Sequence, residues 1–312
     1  MTSSIKKHLV WLTISLLVSA GSDNARGDGY EIINTGKWTV NEIDARIAQA
    51  SKLKDTSERI DFISRQFLGV PYQEKTLVGD AQTPELLVIN LAGVDCFTFL
   101  DYVEAMRRSG SFAAFKENLR KVRYQNGVVD YKHRNHFFSD WTLFNAGFID
   151  DVTGQIGAGK AKKTVKTLNA AEGSQTLLPG ITVRKREITY IPSEFIDDLI
   201  LAQLKTGDYL GVYTAQANLD ASHVGIVIRK GARILFRHAS SQEKYHTVVD
   251  EDLKNYLLHK PGVIILRPIG NDKSKLSLRG VPIYWDDVAI SESFNGIASP
   301  SLHSGLRLTC SQ

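Results

Sequence analysis

The chain changes its hydrophobic period half-way along, and that change limits the fold more than any other feature. In the first third, apolar residues recur three and four apart. Ile43 and Ile47 predict a helix from about Val40 to Leu53, and Ile60, Ile63 and Phe67 predict a second from about Ser57 to Leu68. Ser57 or Thr56 suits its N-cap, and Gly69 and Pro71 stop it. A third helix should start at Cys96. Gly93 breaks the preceding structure, Asp95 is a good N-cap, and Phe99, Leu100, Val103 and Met106 follow at helical spacing until Gly110. From Gly207-Asp208 onward the pattern is that of strands. Tyr209–Tyr213 is one, Val224–Ile228 another, and Ile234–His238 returns after a hairpin turn at Lys230-Gly231. Val263–Leu266 is a further apolar strand. Helices first and antiparallel strands later predict an α+β domain, with the N-terminal helices packed on the sheet.

Composition agrees with a globular chain. Of 312 residues, 43% are hydrophobic and 23% charged, with a formal charge of +4. So small a charge gives no reason to expect nucleic acid, which calls for a clustered basic stripe. Residues 1–20 read as a signal peptide: Lys6 and Lys7, an apolar run from Leu9 to Val18, and small residues Val18 and Ala20 at the cleavage site. The run is too short to span a bilayer, and no Cys at the cleavage point suggests a lipid anchor. Loss of Lys6 and Lys7 takes the charge from +4 to +2. The expected location is the periplasm or the exterior. A loose segment, 21–39, should precede a catalytic domain spanning 40–270. Within it, the Gly-, Lys- and Thr-rich stretch 153–186 reads as an insertion or mobile loop. Residues 271–312 read as a peripheral tail, on which Ile283-Tyr-Trp285 could dock.

The chemistry centres on Cys96, one of only two cysteines; the other is Cys310. A single structural disulfide between them is the plain reading. Against it, Cys310 lies two residues from the chain end, whereas Gly93-Val-Asp-Cys96 sets a sulfur at a helix start. There the helix dipole and N–H groups favour a thiolate, and those N–H groups can face an oxyanion. Ser222-His223-Val-Gly-Ile opens one strand and Arg237-His238-Ala-Ser240 closes the next. A hairpin would bring the histidines together, one taking the thiol proton and the other orienting it. Taken singly, each histidine is more simply a surface or satisfied core residue.

The order Cys, His, His, with the last two on adjacent strands, resembles the NlpC-type cell-wall hydrolases of papain-like fold. The resemblance is to the N-acetylmuramoyl-L-alanine amidase-like branch. It rests on Phe67-Leu-Gly-Val-Pro-Tyr72, Val94-Asp-Cys-Phe-Thr98, Arg134-Asn-His-Phe-Phe-Ser-Asp-Trp141, Thr206-Gly-Asp208, Ser222-His-Val-Gly225 and Arg237-His-Ala-Ser240. It implies a cysteine amidase acting on muropeptides through a thioester, with Cys96 as nucleophile, His223 as base and His238 as orienting member. Tyr72 would line the cleft near the oxyanion site. Arg134, Asn135, His136, Asp140 and Trp141, with Ser222 and Ser240, would form a substrate wall, Arg134 pairing with a carboxylate. Trp141 could stack on a sugar or pack in the core, the latter at least as well. The alternative within the superfamily is an endopeptidase cutting the γ-D-glutamyl bond to the diamino acid; outside it, a non-catalytic wall-binding module.

Two competing signals fail on their own terms. His133, His136, His223 and His238 have no HExxH spacing, and zinc would leave the Cys96 context unexplained, so neither metal nor cofactor is expected. Gly154–Lys160 nearly matches a phosphate-binding loop, but Ala161 stands where Ser or Thr is needed. Peptidoglycan fragments are the expected partner, and nothing in the sequence predicts an oligomeric state.

Overall fold

The computed structural model describes residues 31–270, apart from Glu172 and Ser174. The expected signal peptide, the tail and Cys310 lie outside the described residues. Helix α1 runs Val40–Ser51 and α2 Thr56–Arg65. Asp55, rather than Thr56 or Ser57, caps α2: its carboxylate accepts from the Glu58 N–H. Helix α3 runs Cys96–Arg107, starting at the expected residue behind Asp95. Every residue of α3 is buried, as expected of a helix at the centre of a domain. Helix α4, Phe112–Arg123, packs against it and is followed by the short α5, Phe138–Phe144.

The loose segment is partly a strand. β1, Glu31–Asn34, pairs in parallel with β2, Leu87–Asn90. The stretch 153–186 is not a loop either. It carries α6, Thr153–Gly157, and β4, Lys162–Leu168, and runs into β5, Arg184–Pro192. β4 and β5 pair along their length from Lys162↔Tyr190 to Leu168↔Arg184. Leu168, Leu178 and Ile181 pack with Tyr131, Phe137 and Leu219 in a small core of their own. Burial of these apolar side chains holds the segment down despite its Gly and Lys content.

The main sheet is antiparallel. β6 is Tyr209–Tyr213, β7 Ala221–Lys230, β8 Arg233–Ala239, β9 Val248–Asp252 and β10 Gly262–Pro268. Their order is β4-β5-β10-β6-β7-β8-β9, with short β3 (Ile149–Asp151) also on β10. Gly231 makes the β7–β8 turn at φ +62°, a conformation that glycine adopts without strain. Strand alternation sends Tyr209, Val224, Ile226 and Ile228 into the core shared with the N-terminal helices. Leu210, Val212, Val227 and Phe236 enter a second core. There they meet α7 (Asp198–Gln203) and α8 (Leu253–Leu257). The fold is thus a mixed α/β domain whose sheet is covered on both faces. No described helix is long and apolar enough to cross a membrane.

Candidate active site

Cys96 sits at the first position of α3 because Asp95 ends the preceding chain in extended conformation and caps the helix. The Asp95 carboxylate accepts from the N–H groups of Phe97 and Thr98, at 3.0 and 2.7 Å, and the Thr98 hydroxyl accepts from the Asp95 N–H. Such a capping box is worth about 1 kcal/mol. It also occupies two of the N–H groups that the sequence offered to an oxyanion. The Cys96 sulfur is disulfide-bonded in this structure.

Tyr72 is stitched next to this helix start. It bridges to Val94 in parallel, its N–H donates to the His246 carbonyl at 2.9 Å, and the Gln73 N–H donates to Val94. The Tyr72 hydroxyl is buried and has no hydrogen-bond partner among the described residues. Burial, helped by the Asp95 and Glu74 carboxylates, drives its pKa far up, so the phenol stays a donor.

The two histidines meet as the hairpin reading requires. His223 Nε2 lies 2.8 Å from His238 Nδ1. The β7–β8 ladder ends at Ile226↔Arg237, so the strands part just before the histidines. α3 packs across both strands, and Cys96 shares a core with Val224 and Ala239, the sequence neighbours of the two histidines. Phe236 stacks on His238 at 4.8 Å, and the Tyr256 ring lies 5.0 Å away. Burial, then the charges of His238 and Lys260, hold the His223 pKa well below the usual histidine value, so the ring is neutral at neutral pH. Burial also lowers that of His238, against the raising effect of Glu251 and Asp250. Glu251 completes the row: its Oε1 is 2.9 Å from His238 Nε2. The sequence reading missed it. No local pattern in the sequence sets its strand, β9, beside that of His238.

The side chains of the expected substrate wall between Arg134 and Trp141 are buried and make internal partners. Arg134 is fully buried and paired with Glu85, and its Nη2 donates to the Gly79 carbonyl at 3.1 Å. Asn135 Nδ2 holds the Val122 carbonyl at 3.1 Å, and His136 Nε2 lies 2.7 Å from the Tyr131 carbonyl. Trp141 is wholly buried, its indole N–H donating to Asp101 at 3.1 Å, so of the two readings the core one holds. Buried Asp140 accepts from Arg186 at 2.6 Å. These polar side chains are enclosed because each finds a partner. Ser222 Oγ donates to the Val212 carbonyl at 3.4 Å, and Ser240 is buried at the end of β8. Arg237, also buried, ties β8 to Asp250 and to Asp61 of α2.

Residues 62–263 match the family described as AmiA-like, N-acetylmuramoyl-L-alanine amidase-like. The chain belongs to that family. Among solved structures, an N-acetylmuramoyl-L-alanine amidase from Bacteroides uniformis is 27% identical, with a TM-score of 0.57 over 69% of this chain and 99% of that one. A Legionella pneumophila protein shares the fold at TM-score 0.63 and 23% identity, over 74% of this chain and 94% of its own. A Bacteroides fragilis protein provisionally named a xylanase is 27% identical at TM-score 0.55, over 65% of this chain and 98% of its own. No curated protein sequence matches the chain significantly. The AmiA-like match spans every part of the site, from Tyr72 to Glu251.

Proposed function

We propose that the chain is a cysteine-dependent N-acetylmuramoyl-L-alanine amidase of papain-like, NlpC-type architecture, working on muropeptides in the periplasm or outside the cell. The observation that carries this reading is the His223–His238 pair at the parting of two strands crossed by the Cys96 helix, inside an AmiA-like match. Other carboxylate and sugar chemistries fit less well. A glycosidase needs two carboxyl groups facing one bond, whereas Asp95 beside Cys96 serves as a helix cap and Glu251 beside His238 as a ring partner.

In the reduced enzyme, His223 Nδ1 takes the Cys96 proton. The thiolate attacks the lactyl carbonyl of the muramyl sugar, and the carbonyl electrons move to oxygen. The Tyr72 hydroxyl and the Cys96 N–H are the donors assigned to that oxyanion, since Asp95 already holds the next two N–H groups. Collapse expels the amine of L-alanine, which takes its proton from His223. Water, activated by the same ring, then hydrolyses the thioester.

The test is a defined muropeptide containing both the lactyl–L-alanine bond and the γ-D-glutamyl bond. Release of an intact stem peptide beginning with L-alanine, lost in Cys96→Ala, supports the amidase. L-alanyl-D-glutamate left on the sugar would replace it with the endopeptidase. Unchanged turnover in a folded Cys96→Ala variant would remove the cysteine mechanism altogether.

A further inference from the structure

We propose that Glu251 is a positioning residue that fixes the direction of the proton chain through His238 and His223. This rests on the reading that His223 is the base. An ionised carboxylate only accepts hydrogen bonds. Glu251 Oε1, 2.9 Å from His238 Nε2, therefore requires the proton there. His238 Nδ1 is then a lone pair, and it lies 2.8 Å from His223 Nε2, which must carry the proton. The lone pair of His223 is thereby left on Nδ1. No other member of the row sets this order, because each imidazole can donate or accept at either nitrogen. The two rings alone would serve equally well in reverse, with His223 Nδ1 protonated and useless as a base.

The surroundings keep Glu251 ionised. Its pKa is lowered first by the hydrogen bond from His238, with Lys244 and Tyr245 acting in the same direction. Lys244 Nζ stands 3.7 Å from its other oxygen. Around His238 the further groups are Asp250, which favours its charged form, Lys260, which opposes it, and the Tyr256 phenol. His223 faces His238, Lys260 and the same Tyr256 ring. The Glu251 side chain is only 14% exposed, so its charge is not lost in solvent. Phe236 stacked on His238 keeps the ring from turning away. Beyond direction, the carboxylate supports the imidazolium that His223 becomes once Cys96 has lost its proton.

Two readouts test this. The first needs no turnover. In Cys96→Ala protein with nitrogen-15-labelled histidine, the imidazole shifts above pH 7 should show both His223 and His238 protonated at Nε2. Adding Glu251→Gln, whose amide can donate or accept, should give mixed tautomers in both rings. The second is kinetic. Glu251→Gln should lower kcat roughly 10- to 100-fold, as loss of the outer carboxylate partner of a metal-bound histidine does, with KM changed less than about twofold. The alkaline limb of the kcat profile should move acidward by about one pH unit, as the charge supporting the imidazolium goes. Glu251→Asp should restore the limb. His238 protonated at Nδ1, or a Gln variant with unaltered tautomers and limb, would overturn the proposal. A protein that leaves muropeptides uncut refutes the amidase reading instead, and the tautomers still decide the role of Glu251.

Discussion

Replacing Arg134 with alanine separates a brace from a substrate wall. The Arg134 side chain is 0% exposed and that of its partner Glu85 1%. Arg134 Nε donates to Glu85 Oε1 at 3.0 Å, and the Tyr124 hydroxyl donates to the same oxygen at 2.8 Å. In Arg134→Ala, the Glu85 carboxylate would stay buried with Tyr124 as its remaining donor, and the Gly79 carbonyl would lose its partner. Removing one half of a buried pair costs about 3–5 kcal/mol. In a domain of this size each kcal/mol moves Tm by about 2–4 °C, so the melting point should fall by about 6–20 °C. Calorimetry and urea titration measure that loss. Below the transition, KM should stay within about twofold of the parent protein. A side chain that reads a substrate carboxylate behaves in the opposite way. Stability would hold, and loss of a charge-assisted bond of about 1.5–3 kcal/mol would raise KM about 10- to 150-fold. That outcome would refute the brace. The double variant Arg134→Met, Glu85→Leu removes both charges at similar volume and should regain most of the stability.

Two further outcomes follow from the site. Because Cys96 is disulfide-bonded in this structure, protein isolated in air should leave muropeptides uncut until a dithiol reductant frees the sulfur; turnover by protein without titratable thiol would exclude Cys96 as nucleophile. Because His223 and His238 both have lowered pKa values, stability should be full above the ordinary histidine pKa of about 6.5 and fall as the pH drops below it. The unfolded chain then binds protons that the native rings refuse, at up to roughly 1.4 kcal/mol per pH unit for each histidine. Urea midpoints at pH 8 and pH 5 would show it, and equal midpoints would contradict it.

The parts legible in the sequence were those fixed by neighbours along the chain. Asp95 and Thr98 cap α3 from within three residues of Cys96, and the β7–β8 hairpin turns on Gly231. Both follow from local spacing. What escaped depends on distant partners. Arg134 pairs with Glu85 across 49 residues, and the Asp101 that accepts from the buried Trp141 indole is 40 residues away, so neither partner is visible in local spacing. β4 was hidden for another reason. Lys162, Lys163 and Lys166 give it the charged look of a loop, yet charge along an edge strand discourages pairing with other chains. Glu251 was missed because the row needs β9 beside β8, a pairing that no local pattern announces.

β10 is the last strand of the described chain, yet it lies inside the sheet, between β5 and β6. The ribosome delivers Gly262–Pro268 after every other strand of that sheet. Before then β6 has a bare edge, and the run β6–β7–β8 that bears both histidines lacks its inner neighbour. Non-local pairing of this kind is slow to close, because the long intervening chain must lose its freedom first. Completion of the sheet thus waits for Gly262–Pro268: a fragment that stops short of them can hold Cys96 and both histidines and still lack the scaffold that aligns them.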